Sequence, residues 1–113
     1  MKLITAILQP SVLVPVKLAL AEHGVKGITV TDARGRGTQA GKTEFFRGQT
    51  YTVDFVDKVR LEIVVTDETV DAVVETIADA ARTGEIGDGK IWVADVVSVV
   101  RVRTGQTGDD AIN

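Results

Sequence analysis

Lys58-Val59-Arg60-Leu61-Glu62-Ile63-Val64-Val65 is the stretch on which the fold turns. Successive side chains of an extended chain point to opposite faces, so Val59, Leu61, Ile63 and Val65 share one face and Lys58, Arg60 and Glu62 the other. This is a strand with a core side and an exposed side. Downstream, Thr66-Asp67 opens a helix whose Val70, Val73, Val74, Ile77 and Ala81 form a single apolar stripe. A glycine-rich turn over residues 84–89 leads into a strand at residues 91–97, and residues 99–103 add a further extended piece. Upstream, residues 27–33 read as a strand carrying Ile28 and Val30. Before it, Leu13, Val16, Ala19 and Leu20 keep helical spacing, with Ser11 as a candidate N-cap, Pro15 in the first turn and Gly24 as the stop. Lys2–Leu8 is an apolar, β-branched first strand.

Between the second and third of these strands lie residues 34–54, with four glycines, several charges and no sustained apolar period. A connection of ~20 residues without structure of its own is unusual in a compact domain and is more often functional than ornamental. The order is β-α-β-loop-β-α-β, the split βαβ arrangement of α+β ferredoxin-like folds, in which two helices cover one sheet face. The first strand is apolar on both sides, Leu3 and Ile7 on one and Ile4, Ala6 and Leu8 on the other. The late strands are two-sided in valine. An open apolar sheet face is normally buried against another subunit, so a homo-oligomer is expected.

The 113 residues suit a single domain, expected to span residues 1–113. Hydrophobic residues make up 44% and charged residues 26%, an ordinary globular balance. A net charge of −3 argues against nucleic acid or an anionic membrane as principal partner. There are no cysteines, which excludes disulfides and thiolate metal sites. The first apolar run meets Pro10 too soon for a signal peptide or a membrane span, and a cytoplasmic protein is expected.

Gly84-Glu85-Ile86-Gly87-Asp88-Gly89-Lys90 has the spacing of a phosphate-binding Walker loop, but Ile91 stands where Ser or Thr is required. The context is also reversed, since the stretch leaves a helix and enters a strand. The physical content survives: glycines allow close backbone approach to phosphate, and Lys90 adds a point charge. The plainer alternative is a helix stop with a surface lysine. Arg101-Val102-Arg103 on a strand would place two guanidinium groups on one side, suited to bidentate phosphate recognition, or simply solvated. Gly35 to Gly41 reads as a hinge carrying one amide, Gln39, able to ligate a cation, or as plain loop. Tyr51 either folds its ring onto nearby apolar surface or is exposed for covalent modification. His23 suits a helix C-terminus, Trp92 suits packing, and Asp109-Asp110 reads as solvated charge. No nucleophile–base pair is legible, which weakens any enzyme reading.

Taken together these residues resemble the PII nitrogen-regulatory signal-transduction family from end to end. The resemblance is carried by Tyr51-Thr52-Val53-Asp54-Phe55, by Lys58-Val59, by the run from Ala81 to Ile91, by the run from Val100 to Gly105, and by Gly41-Lys42-Thr43-Glu44 with Arg47-Gly48. It implies a non-catalytic homotrimer that binds ATP or ADP in clefts between subunits. Residues 34–54 would be its T-loop, 82–89 its B-loop and 104–113 its C-terminal tail. The phosphates would fall to Gly87, Gly89, Lys90, Arg101 and Arg103, with Gly37 and Asp88 also at the nucleotide. The adenine would fall to Thr29, Glu62 and Val64. Mg2+ with ATP would build a site for 2-oxoglutarate at Gln39, Gly41, Lys58 and Gly87, with Gln39 on the metal. Tyr51 would be the site of nucleotidylation by a nucleotidyltransferase. The T-loop would dock on targets such as an ammonium channel or nitrogen-metabolism enzymes, and the channel would be the only link to a membrane.

The sequence departs from the family pattern at Gln9-Pro10-Ser11, where a basic residue and Pro-Phe are usual, and at Thr38, Ala40 and Lys42. Phe46, Gln49-Thr50 and Val14-Pro15 differ too. Each lost charge-assisted contact costs ~1–3 kcal/mol, up to about a hundredfold in affinity. The alternative to a standard PII sensor is therefore a divergent adenine-nucleotide sensor with another small-anion effector, or none, and a different partner.

Overall fold

The computed structural model describes residues 1–36, 42–46, 49–53 and 55–112, the two segments at 42–46 and 49–53 by their backbone alone. Its main sheet has the order β2-β5-β1-β6, made of β1 (Lys2–Leu8), β2 (Thr29–Gly35), β5 (Val56–Val65) and β6 (Gly89–Asp95). Every neighbouring pair is antiparallel. Two helices, α1 (Leu13–Glu22) and α2 (Val70–Ala81), make the crossovers. This is the α+β ferredoxin-like arrangement. A separate hairpin of β3 (Lys42–Phe46) and β4 (Gln49–Val53) lies within the segment expected to be structureless.

The core forms where the alternation of β5 meets the two helical stripes. Val59, Leu61, Ile63 and Val65 are buried with Ile4, Ala6 and Leu8 of β1, against Val16 and Leu20 of α1 and Val73, Ile77 and Ala81 of α2. Val70 and Val74 pack at its margin. The α1 stop is a helix-ending motif centred on Gly24, whose φ of +84° favours glycine. The Val25 N–H donates to the Leu20 carbonyl at 2.9 Å and the Gly24 N–H to Ala21 at 3.1 Å, satisfying the last carbonyls.

Two local expectations are corrected. Ser11 does not cap α1; it lies in a 3-10 turn, Pro10–Val12, that leads straight into the helix. Residues 99–103 are not a strand. Val100 makes an isolated bridge to Thr107, and residues 102–104 form a turn between them. The tail holds a second 3-10 turn, Gly108–Ala111. No helix of the described residues is long and apolar enough to cross a membrane.

Candidate functional site

Paired residues on antiparallel strands share a face, so the register maps the uncovered side of the sheet. One row across it runs Thr29, Glu62, Thr5 and Trp92, and the next runs Thr31, Arg60, Ile7 and Lys90. Val64 pairs with Leu3 one row beyond Glu62. The adenine candidates Thr29, Glu62 and Val64 therefore lie together on this face, and Lys58 and Lys90 lie on the same side. Glu62 also accepts from the Arg60 side chain at 3.1 Å.

The loop after α2 is closed by one carboxylate. Asp88 accepts from the backbone N–H groups of Thr83 and Gly84, each at 2.9 Å, and from the Thr83 hydroxyl. The Glu85 N–H donates back to the Thr83 hydroxyl at 3.2 Å. These donors, the Thr83 hydroxyl first, hold the Asp88 carboxyl below its ordinary value. Gly87, at φ +103°, turns its carbonyl toward the Lys58 ammonium, 2.8 Å away. Alternation alone predicted an exposed Lys58. It is buried instead, because the distant loop folds over its end of the sheet. Gly89 then brings the chain against β1 so closely that a Cβ there would stand 1.7 Å from the Ile7 carbonyl oxygen.

A cavity of about 540 Å³ opens at this end, lined by Gly87, Asp88, Gly89, Lys90 and Lys58 with Arg36 and Trp92. Arg101 lines a second cavity, about 490 Å³, with Gly27 and Val64. The two arginines do not sit on a strand as expected. They belong to a turn closed by the Gly105 N–H on the Arg101 carbonyl at 2.8 Å, with Arg101 half-buried and Arg103 exposed. One chain thus divides the phosphate-type residues between two cavities, Lys90 in one and Arg101 in the other. Gly37, Gln39 and Gly41 lie outside the described residues. Tyr51 stands in β4 opposite Glu44.

Sequence reasoning gave no reason to single out Ile7, Arg36 or Thr83, although the first two line the Lys90 cavity and the third anchors its loop. Their signal is long-range: only the register brings Ile7 beside Lys90. No group of three or more acidic, His or Cys side chains able to hold a metal exists among the described residues.

A family model described as "Nitrogen regulatory protein P-II" matches residues 1–106. The "Nitrogen regulatory protein P-II" of Rhizobium meliloti is 56% identical over 112 residues, covering 99% of this chain and 100% of that protein. "Nitrogen regulatory protein P-II 1" of Escherichia coli K12 is 54% identical over the same shares. "Nitrogen regulatory protein P-II 2" of Methanothermobacter thermautotrophicus is 54% identical over 99% of this chain and 97% of that protein.

Proposed function

Because the chain belongs to the nitrogen regulatory protein P-II family, we propose that its regulatory, non-catalytic role in nitrogen signalling is exercised by sensing ATP or ADP at a site shared between copies. The single observation that supports this reading is the division of the candidate phosphate-binding residues between two cavities. Lys90 with Gly87 and Gly89 lines one cavity, and Arg101 with Val64 lines another. One copy would offer Thr29, Glu62 and Val64 to the base and Arg101 and Arg103 to the phosphates. Its neighbour would close the site with Gly87, Asp88, Gly89 and Lys90.

The residues fit such a ligand. Gly89 lets the chain turn tightly against β1 just before Lys90, and Asp88 holds the preceding loop in shape. Lys90 and the two arginines supply charge for phosphate, the arginines in fork geometry. Mg2+, when bound with ATP, would neutralise phosphate charge, with Gln39 offering an amide oxygen. 2-Oxoglutarate would meet Lys58 beside Gly87. Gly37 and Gly41 would allow the chain to follow these ligands.

Assembly as a homotrimer would cover the exposed apolar surface. Val97 and Val102 are 96% and 97% exposed in a single chain, and Trp92 stands on the uncovered sheet face. Ligand-dependent positions of residues 34–54 would then decide which target docks, whether a channel or an enzyme of nitrogen metabolism, with Tyr51 as a point of covalent control.

The test uses Trp92, the sole tryptophan, as an internal reporter in the Lys90 cavity. Titration with MgATP and with ADP should change its emission saturably and raise the melting temperature by mass action. Calorimetry should then give heat for 2-oxoglutarate only when MgATP is present. No spectral or thermal response to either nucleotide would reject the reading. Nucleotide binding without oxo-acid heat would favour the divergent sensor, to which the replacements at Gln9, Thr38 and Ala40 point.

A further inference from the structure

Gln106 sits where the turn carrying Arg101 closes on itself. The Arg101 N–H donates to the Gln106 carbonyl at 2.9 Å, and the Val100–Thr107 bridge holds the turn from outside. Within that frame the Gln106 side-chain oxygen accepts from Arg101 Nη1 at 2.9 Å and from the Thr104 hydroxyl, also at 2.9 Å. The Thr104 hydroxyl accepts in turn from the Gln106 N–H at 3.2 Å. One side-chain oxygen thus fixes both the guanidinium and the turn beneath it.

We propose that Gln106 is a positioning residue: its neutral amide aims the Arg101 guanidinium at a phosphate without spending the positive charge. The inference rests on the nucleotide reading above and deepens it. The amide uses one N–H of a guanidinium that carries five, and leaves the net charge intact. A carboxylate in its place would engage the fork bidentately and set a negative charge beside the incoming phosphates. The half-site is therefore built to favour multiply charged ligands, and its strength depends on the residue five places along the chain.

Gln106→Glu keeps the shape and adds the charge. On this exposed turn it should leave the melting temperature of the ligand-free protein unchanged and weaken ATP binding about fivefold, the upper end for an exposed charge pair. The ratio between wild type and variant should shrink from ~0.1 M to ~1 M salt, as the screening length falls from about 10 Å to about 3 Å. Gln106→Met, with similar reach and no strong acceptor, should also weaken ATP binding, by a ratio that salt leaves alone. A Gln106→Glu protein that binds ATP like wild type, or with a salt-independent deficit, overturns the proposal while leaving the nucleotide reading intact. Wild-type-like binding by Gln106→Met overturns the orienting role. A wild-type protein that gives no heat with ATP overturns the nucleotide reading itself, and this proposal with it.

Discussion

The Lys58 ammonium donates to the Gly87 carbonyl at 2.8 Å, tying β5 to the loop after α2 across 29 positions of sequence. A small anion drawn to Lys58 would meet an ammonium already donating to Gly87, so its arrival would be felt in the loop that precedes Lys90. Linkage of this kind is reciprocal: whatever fixes the loop also changes how Lys58 meets its ligand.

Lys58→Met should keep the fold, since the aliphatic stem is already buried. Backbone amides of residues 84–88 should exchange faster. ATP affinity should fall by no more than about a hundredfold, the upper end for one lost bond to a charged group. Any response to 2-oxoglutarate should vanish. Calorimetry and hydrogen exchange check the three together; an undiminished oxo-acid response contradicts the coupling.

Asp88→Ala removes the acceptor shared by Thr83 and Gly84 and should weaken ATP binding about fivefold, as loss of a side-chain cap on backbone N–H groups does. Acidification should act in the same direction. The folded Asp88 carboxyl is held below its ordinary value of 3.8, so its stabilisation is complete above that value. It is lost as pH falls through the lowered one. The Gly84 amide signal should therefore be constant from neutrality to about pH 5 and move only in stronger acid. Asp88→Asn should flatten the titration. A transition near pH 6 would contradict the assignment.

Gly89→Ala should cost more than about 3 kcal/mol or abolish folding, because backbone strain and a backbone clash act together. The added Cβ would meet the Ile7 carbonyl oxygen, and φ is +96°. Gly84→Ala is the control: φ is +85° there too, yet nothing lies within 4 Å, so about 1–2 kcal/mol is expected. Urea denaturation of the two variants separates strain from clash. Equal losses would mean that the close approach to β1 is not real.

The features legible in sequence were those written with local periodicity. The period-two alternation from Val59 to Val65 and the α2 stripe from Val70 to Ala81 gave the sheet, its covered face and most of the core. The Arg101 turn was misread because valine-rich residues favour strands locally. What decides the matter is a backbone bond between Arg101 and Gln106. Lys58 was misplaced for a related reason, since alternation says which face a side chain takes but not what a distant loop lays over it. The β3–β4 hairpin escaped notice because glycine and charge masked its pairing register. At the candidate site, composition found Lys90, Arg101 and Arg103. It did not foresee that one chain would hold Lys90 and Arg101 in separate cavities.

That separation allows a direct test by mixing two defective chains. Lys90→Ala and Arg101→Ala proteins should each fail to bind ATP when assembled alone. Unfolded together in equal amounts and refolded, they should regain about a quarter of the wild-type number of sites, the fraction of head-to-tail contacts in a random ring that pair an intact Lys90 with an intact Arg101. Native mass spectrometry confirms that the chains have mixed, and calorimetry counts the sites. Recovery of that fraction is the result expected of a nucleotide held between copies. Mixed assemblies with no recovered ATP binding, or a wild-type single chain that binds ATP in full, would contradict it.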